Sequence, residues 1–174
     1  MARKPPAGDP PAPRLRRAYF ECRYGQLHLH NAIPTGGGFD ELTSLICLHG
    51  QGQTGRVFVP LLADLGLARS VYALDLPGQG GSDPAPGEVP VIAATYAVGD
   101  FVDSMRIRQY DLLARGEGCA VARQLLAERP QAVRRLVLLG DSSAAPTTLS
   151  VLSLPAGGEE APGLVERIEA FLAN

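Results

Sequence analysis

Chemistry-bearing residues gather in a few short stretches. The first is Ala114-Arg115-Gly116-Glu117-Gly118. Tyr110-Asp111-Leu112-Leu113 before it reads as a short buried strand, and Cys119-Ala120-Val121-Ala122 after it opens a helix. Strand, sharp turn and helix make a nucleophile elbow, in which small flanking residues let strand and helix approach closely. The elbow pattern G-x-S-x-G reads A-R-G-E-G here, so the attacking position falls on Gly116, which has no side chain. No catalytic residue is therefore assigned. Glu117 and Asp141 remain as candidates. A carboxylate nucleophile at Glu117 would still need a base to hydrolyse its ester intermediate. Asp141 ends a strand, where an aspartate also serves as a helix cap. Cys119 lies on the helix without a partner histidine and reads as a packing thiol.

A second stretch is His49-Gly50-Gln51-Gly52, which follows an apolar run. Two readings compete. In one it is an oxyanion loop. Acyl transfer needs two preset N–H donors where negative charge develops. One comes from the loop after this strand and the other from the residue after the nucleophile, here Gln51 and Glu117. In the other it is a strand-to-helix turn whose glycines supply backbone freedom. His49, Gly50, Gln51, Gly52 and Glu117 form the candidate ligand-binding set, with His49 expected to orient the loop rather than titrate. A pairing of Ser82 with His49 has no support in the spacing.

Gly50-Gln51-Gly52-Gln53-Thr54-Gly55 also matches G-x-G-x-x-G, with Asp75 ending the next strand, as a dinucleotide site asks. That mechanism needs a helix to begin inside the glycines. Pro60 would then fall in the helix interior, at a cost of about 3 kcal/mol. His28 and His30 lie two apart and share one side of a strand. No third ligand is near in sequence, so no metal site is assigned and an exposed strand face is expected.

These residues need a frame. Residues 18–23 and 26–32 read as a β-hairpin. Residues 44–48, 70–76, 110–113 and 134–140 read as strands, and 148–154 as a further one. Helices are expected over 57–67, with Pro60 in its first turn, over 92–105, from Cys119 to before Pro130, and over 164–172. Residues 34–40 and 77–90 read as loops. Alternating strands and helices predict an α/β fold, a mostly parallel doubly wound sheet with helices on both faces. Residues 1–17 are Pro-rich and basic, and read as a disordered tail ahead of one domain over 18–174.

The net charge of −2 gives no reason to expect nucleic acid or an acidic membrane. No apolar run approaches a membrane helix, and no secretory h-region follows the basic N-terminus. Cys22, Cys47 and Cys119 are scattered, as thiols in a reducing cytoplasm would be.

LICLHGQGQTG at 45–55, YALDLPGQGGSD at 72–83, the elbow, and VRRLVLLG at 133–140 stand in an order and spacing that resemble the α/β-hydrolase superfamily. The resemblance covers roughly residues 19–141 and returns at 161–172. It implies a pocket above the C-terminal ends of the strands and cleavage of esters, amides, epoxides or C–C bonds without a cofactor. Against the family pattern, the nucleophile position is Gly116, no histidine follows His49, and the cap is missing. Ala156-Gly157-Gly158 looks like the join of a deletion. The expectation is a degenerate hydrolase holding a small apolar ligand. The alternatives are an interaction protein, self-association as a homodimer included, and a dinucleotide-binding enzyme.

Overall fold

The computed structural model describes residues 12–36, 42–141, 149–154 and 162–173. β1 (Arg14–Cys22) and β2 (Gly25–Ile33) form an antiparallel hairpin. β3 (Leu42–Leu48), β4 (Arg69–Leu74), β5 (Tyr110–Arg115), β6 (Val133–Leu139) and β7 (Val151–Leu154) follow. All seven join one sheet in the order β1-β2-β4-β3-β5-β6-β7. The hairpin meets β4 antiparallel, and every later pairing is parallel.

Helices cover both faces because the central strands are apolar on both. Ile46 and Leu48 of β3 face α2 (Pro90–Ser104) and α3 (Gly118–Glu128), packing with Phe101, Val98 and Leu125. Leu45 and Cys47, one residue out of phase, face α1 (Val59–Leu65) and α4 (Leu164–Ala173), packing with Leu62, Leu65 and Ile168. This is the two-residue period of a strand expressed as two cores. Fully burying one such aliphatic or aromatic side chain stabilises by about 1.5–3 kcal/mol.

The expected doubly wound sheet and hairpin are present, and only residues 140–150 connect β6 to β7, too short a link for a cap domain. Some boundaries move. The helix expected over 57–67 starts with a 3-10 turn at Gly55–Phe58, and α1 carries Pro60 in its first turn, where a missing N–H costs little. The disordered tail expected through residue 17 is corrected at its end: Arg14–Arg17 belong to β1, with Arg14 opposite Ile33 and Arg17 opposite His30. The prolines stop at Pro13, and β2 runs on to Ile33, offering backbone partners. Residues 1–11 lie outside the described residues.

Candidate functional site

The elbow forms where the sequence places it. β5 ends at Arg115, α3 starts at Gly118, and Gly116 turns the chain with φ +53°. An L-residue rarely adopts that conformation, and glycine adopts it freely. A Cβ at Gly116 would stand 3.2 Å from the Gly50 Cα, so a side chain here is crowded as well as strained. At Gly118 a Cβ would lie 2.4 Å from the Leu48 carbonyl oxygen, which is why α3 can begin directly against β3.

The loop after β3 is held by His49. The Leu76 N–H donates to His49 Nε2 at 2.9 Å, so that nitrogen carries no proton. Nδ1–H then donates to the Gly50 carbonyl at 2.7 Å. Burial pushes the His49 pKa down, which keeps the ring neutral in this role. His49 therefore ties the loop after β3 to Leu76. Gly50 N–H donates to Gln53 Oε1 at 3.2 Å and tightens the turn.

Gln51 and Glu117 meet across the elbow. The Gln51 N–H donates to Glu117 Oε2 at 2.8 Å. That bond, followed by the backbone N–H of Glu117 itself, holds the exposed Glu117 carboxyl below its usual pKa. Both N–H groups expected to face a substrate oxyanion thus face a carboxylate of the chain. A cavity of about 370 Å³ lies beside them over the strand ends, lined by Leu76, Val91, Ala94 and Val121 together with Gln51 and Glu117. Val89 at its mouth is 62% exposed, so the cavity opens to solvent. Gly52, with φ +71°, shapes the loop and is not part of this lining.

The other candidates are accounted for elsewhere. Asp141 pairs with Arg123 of α3 at 2.9 Å, which makes it an ion-pair partner at a strand end. Cys119 is buried among core residues, its pKa pushed up to about 11 by that burial. Ser82 Oγ donates to the Asp75 carbonyl at 2.6 Å and accepts from the His28 N–H at 2.9 Å, and so has no role with His49. Asp75 accepts from the Gly55 N–H at 2.7 Å, the Gly81 N–H at 2.9 Å and His28 Nδ1–H at 2.8 Å. With its oxygens engaged this way and α1 starting only at Val59, the glycines at 50–55 do not make the helix N-terminus a dinucleotide needs.

His28 and His30 correct the reading of an exposed face. His28 is buried and His30 half-buried, because the segment after β4 folds over them and brings Asp75, Gly81 and Ser82 to β2. Asp75 is also the third potential ligand that the sequence did not place nearby. Missed entirely is a buried ionic cluster at the opposite end of the sheet. Arg69 reaches Asp111 at 3.4 Å and Glu169 at 3.1 Å, and Arg134 reaches Asp111 at 2.6 Å. A charged residue at or next to the start of each of three strands was the signal for it.

No described helix is long and apolar enough to cross a membrane. A family model for the alpha/beta hydrolase fold matches residues 43–159. A 2-hydroxymuconate semialdehyde hydrolase from Pseudomonas sp. (strain CF600) is 33% identical over 120 residues, covering 64% of this chain and 40% of that protein. The crystal structure of an epoxide hydrolase from Vigna radiata aligns with TM-score 0.65 and 18% identity over 77% of this chain and 41% of that one. A carboxylesterase from Bacillus subtilis aligns with TM-score 0.65 and 23% identity, covering 75% and 45%. The chain spans about two fifths of the length of the hydrolase relative. With more than half of its residues matched by the family model and a mostly parallel seven-stranded sheet to go with it, the chain belongs to the alpha/beta hydrolase fold family.

Proposed function

We propose that this chain is a pseudoenzyme of the hydrolase fold, blocked at its oxyanion donors, whose cavity holds a small apolar ligand. One observation carries the reading: the Gln51 N–H is spent on the Glu117 carboxylate at 2.8 Å, beside an apex with no nucleophilic atom. A substrate oxyanion would meet fixed negative charge where the chemistry requires donors. The cavity of about 370 Å³ falls in the size range of small-molecule sites, roughly 300–1,000 Å³. Its apolar walls and three scattered free thiols fit a ligand met in the cytoplasm.

Two measurements test this. Short acyl esters should show no saturable turnover, and a ligand from a panel of neutral apolar compounds should raise the melting temperature. At a hundredfold excess over Kd, binding adds about 2.7 kcal/mol, or roughly 5–10 °C for a chain of this size. Saturable ester hydrolysis that disappears in Glu117→Ala would overturn the reading.

A second reading, docking of another copy of the chain, is favoured by β7. Among the described residues this four-residue strand forms one edge of the sheet, and an unpaired edge recruits strands. Light scattering should then show a dimer; a monomer at high concentration would exclude it.

A further inference from the structure

We propose that His28, His30 and Asp75 form a binding site for one divalent transition-metal ion of the zinc class. One ligand atom from each residue lies within 4.8 Å of the other two. None of the three lines the cavity beside Glu117, so the site stands apart from it. Two imidazoles and one carboxylate are a donor set that suits zinc and its neighbours, with a fourth position left open.

The frame that holds these groups is already built. Asp75 is fixed by backbone N–H groups on both oxygens, from Gly55 to Oδ1 and from Gly81 to Oδ2. The main chain of His28 is pinned by Ser82 Oγ at 2.9 Å and by the Asp75 N–H, which donates to the His28 carbonyl at 2.9 Å. Bonds of this kind, one step out from the ligands, orient metal ligands and raise their affinity. His30 is the group without another task. It meets His28 edge-on, ring centroids 5.1 Å apart, and makes no side-chain hydrogen bond among the described residues.

Closure asks for a local exchange. Zinc ligands sit about 2.0–2.2 Å from the ion, so the donor atoms must come to roughly 3.4 Å apart. The metal takes the place of the proton between His28 Nδ1 and Asp75 Oδ2, now 2.8 Å apart, which is released as the two atoms part, and His30, half-buried at the surface, swings inward. Arg17, opposite His30 on β1, and Arg56 both oppose a cation here and lower the affinity without removing a ligand.

The test uses the full chain freed of any purification tag. Calorimetric titration with Zn²⁺ should show one ion bound per chain and a raised melting temperature. Co²⁺ should give the ligand-field bands of a nitrogen and oxygen site with no thiolate charge-transfer band, which separates this site from the three cysteines. Asp75→Asn is expected to disturb the fold, so His30→Gln is the decisive variant. It should weaken binding about tenfold or more and leave the metal-free melting temperature unchanged. No uptake by the parent chain, or equal uptake by His30→Gln, would overturn the proposal and leave the cluster as a hydrogen-bond hub.

Discussion

At the end of the sheet where the parallel strands begin, Arg69 reaches both Asp111 and Glu169 of α4 and Arg134 reaches Asp111, with the Arg69 and Asp111 side chains fully buried. Arg134 Nη2 also donates to the Leu172 carbonyl at 2.7 Å, tying α4 to the sheet. At the end where the strands finish, the charge that matters is Glu117, at the surface and satisfied by backbone N–H groups. The difference lies in what surrounds each charge. Inside, removing Asp111 leaves Arg69 short of a partner and away from water. At the surface, water replaces whatever is removed. The buried cluster is therefore brittle, and the exposed Glu117 carboxylate at the other end can be removed at little cost.

The largest effect should come from breaking the brittle end. Asp111→Ala leaves two arginines without their shared carboxylate and should cost about 3–5 kcal/mol, read by urea denaturation. Wild-type stability in that variant would erase the contrast. Gly116→Ser comes next. Its strained φ should cost about 1–3 kcal/mol, with the close approach to Gly50 adding to it. No rapid labelling by a fluorophosphonate probe should follow, because no imidazole is positioned to take the serine proton. Rapid labelling would show that a base sits beside the elbow.

The sequence made the frame legible and hid the contacts across it. Strands 44–48 and 134–140 were readable because two-sided burial demands unbroken apolar runs. The seating of Glu117 on the Gln51 N–H was not, since it joins residues 66 apart through the aim of one side chain. The burial of His28 was hidden for the same reason: the hairpin alternation says which face it takes, and only the segment after β4 decides whether that face is covered. Arg14–Arg17 read as tail because prolines precede them, while their strand character comes from β2 opposite.

Two smaller effects sharpen the contrast. His49 and His30 both have pKa values below the ordinary 6.5. Below that pH the unfolded chain binds protons that the folded chain refuses, so stability should fall on acidification, with the buried His49 contributing more than the half-buried His30, whose shift solvent screens. Urea midpoints at pH 7.5 and 5.5 check this, and His49→Gln should flatten the slope; an unchanged slope would remove His49 from the cause. The smallest effect is expected for Glu117→Ala, whose urea midpoint should match that of the parent. A clear loss of stability would mean that the carboxylate braces the elbow rather than merely filling it.

The strand order has a consequence for a chain that is made from one end. β3 lies between β4 and β5. As the polypeptide leaves the ribosome, β4 can join β3 early, but the other side of β3 stays open until Arg115 has emerged. At about 5–20 residues per second that wait lasts roughly 3–13 s. Throughout it, the run Ser44-Leu45-Ile46-Cys47-Leu48 offers an unpaired apolar edge to any nascent neighbour. Chains stalled near residue 105 should cross-link to holdase chaperones through this segment, and chains stalled well past β5 should not.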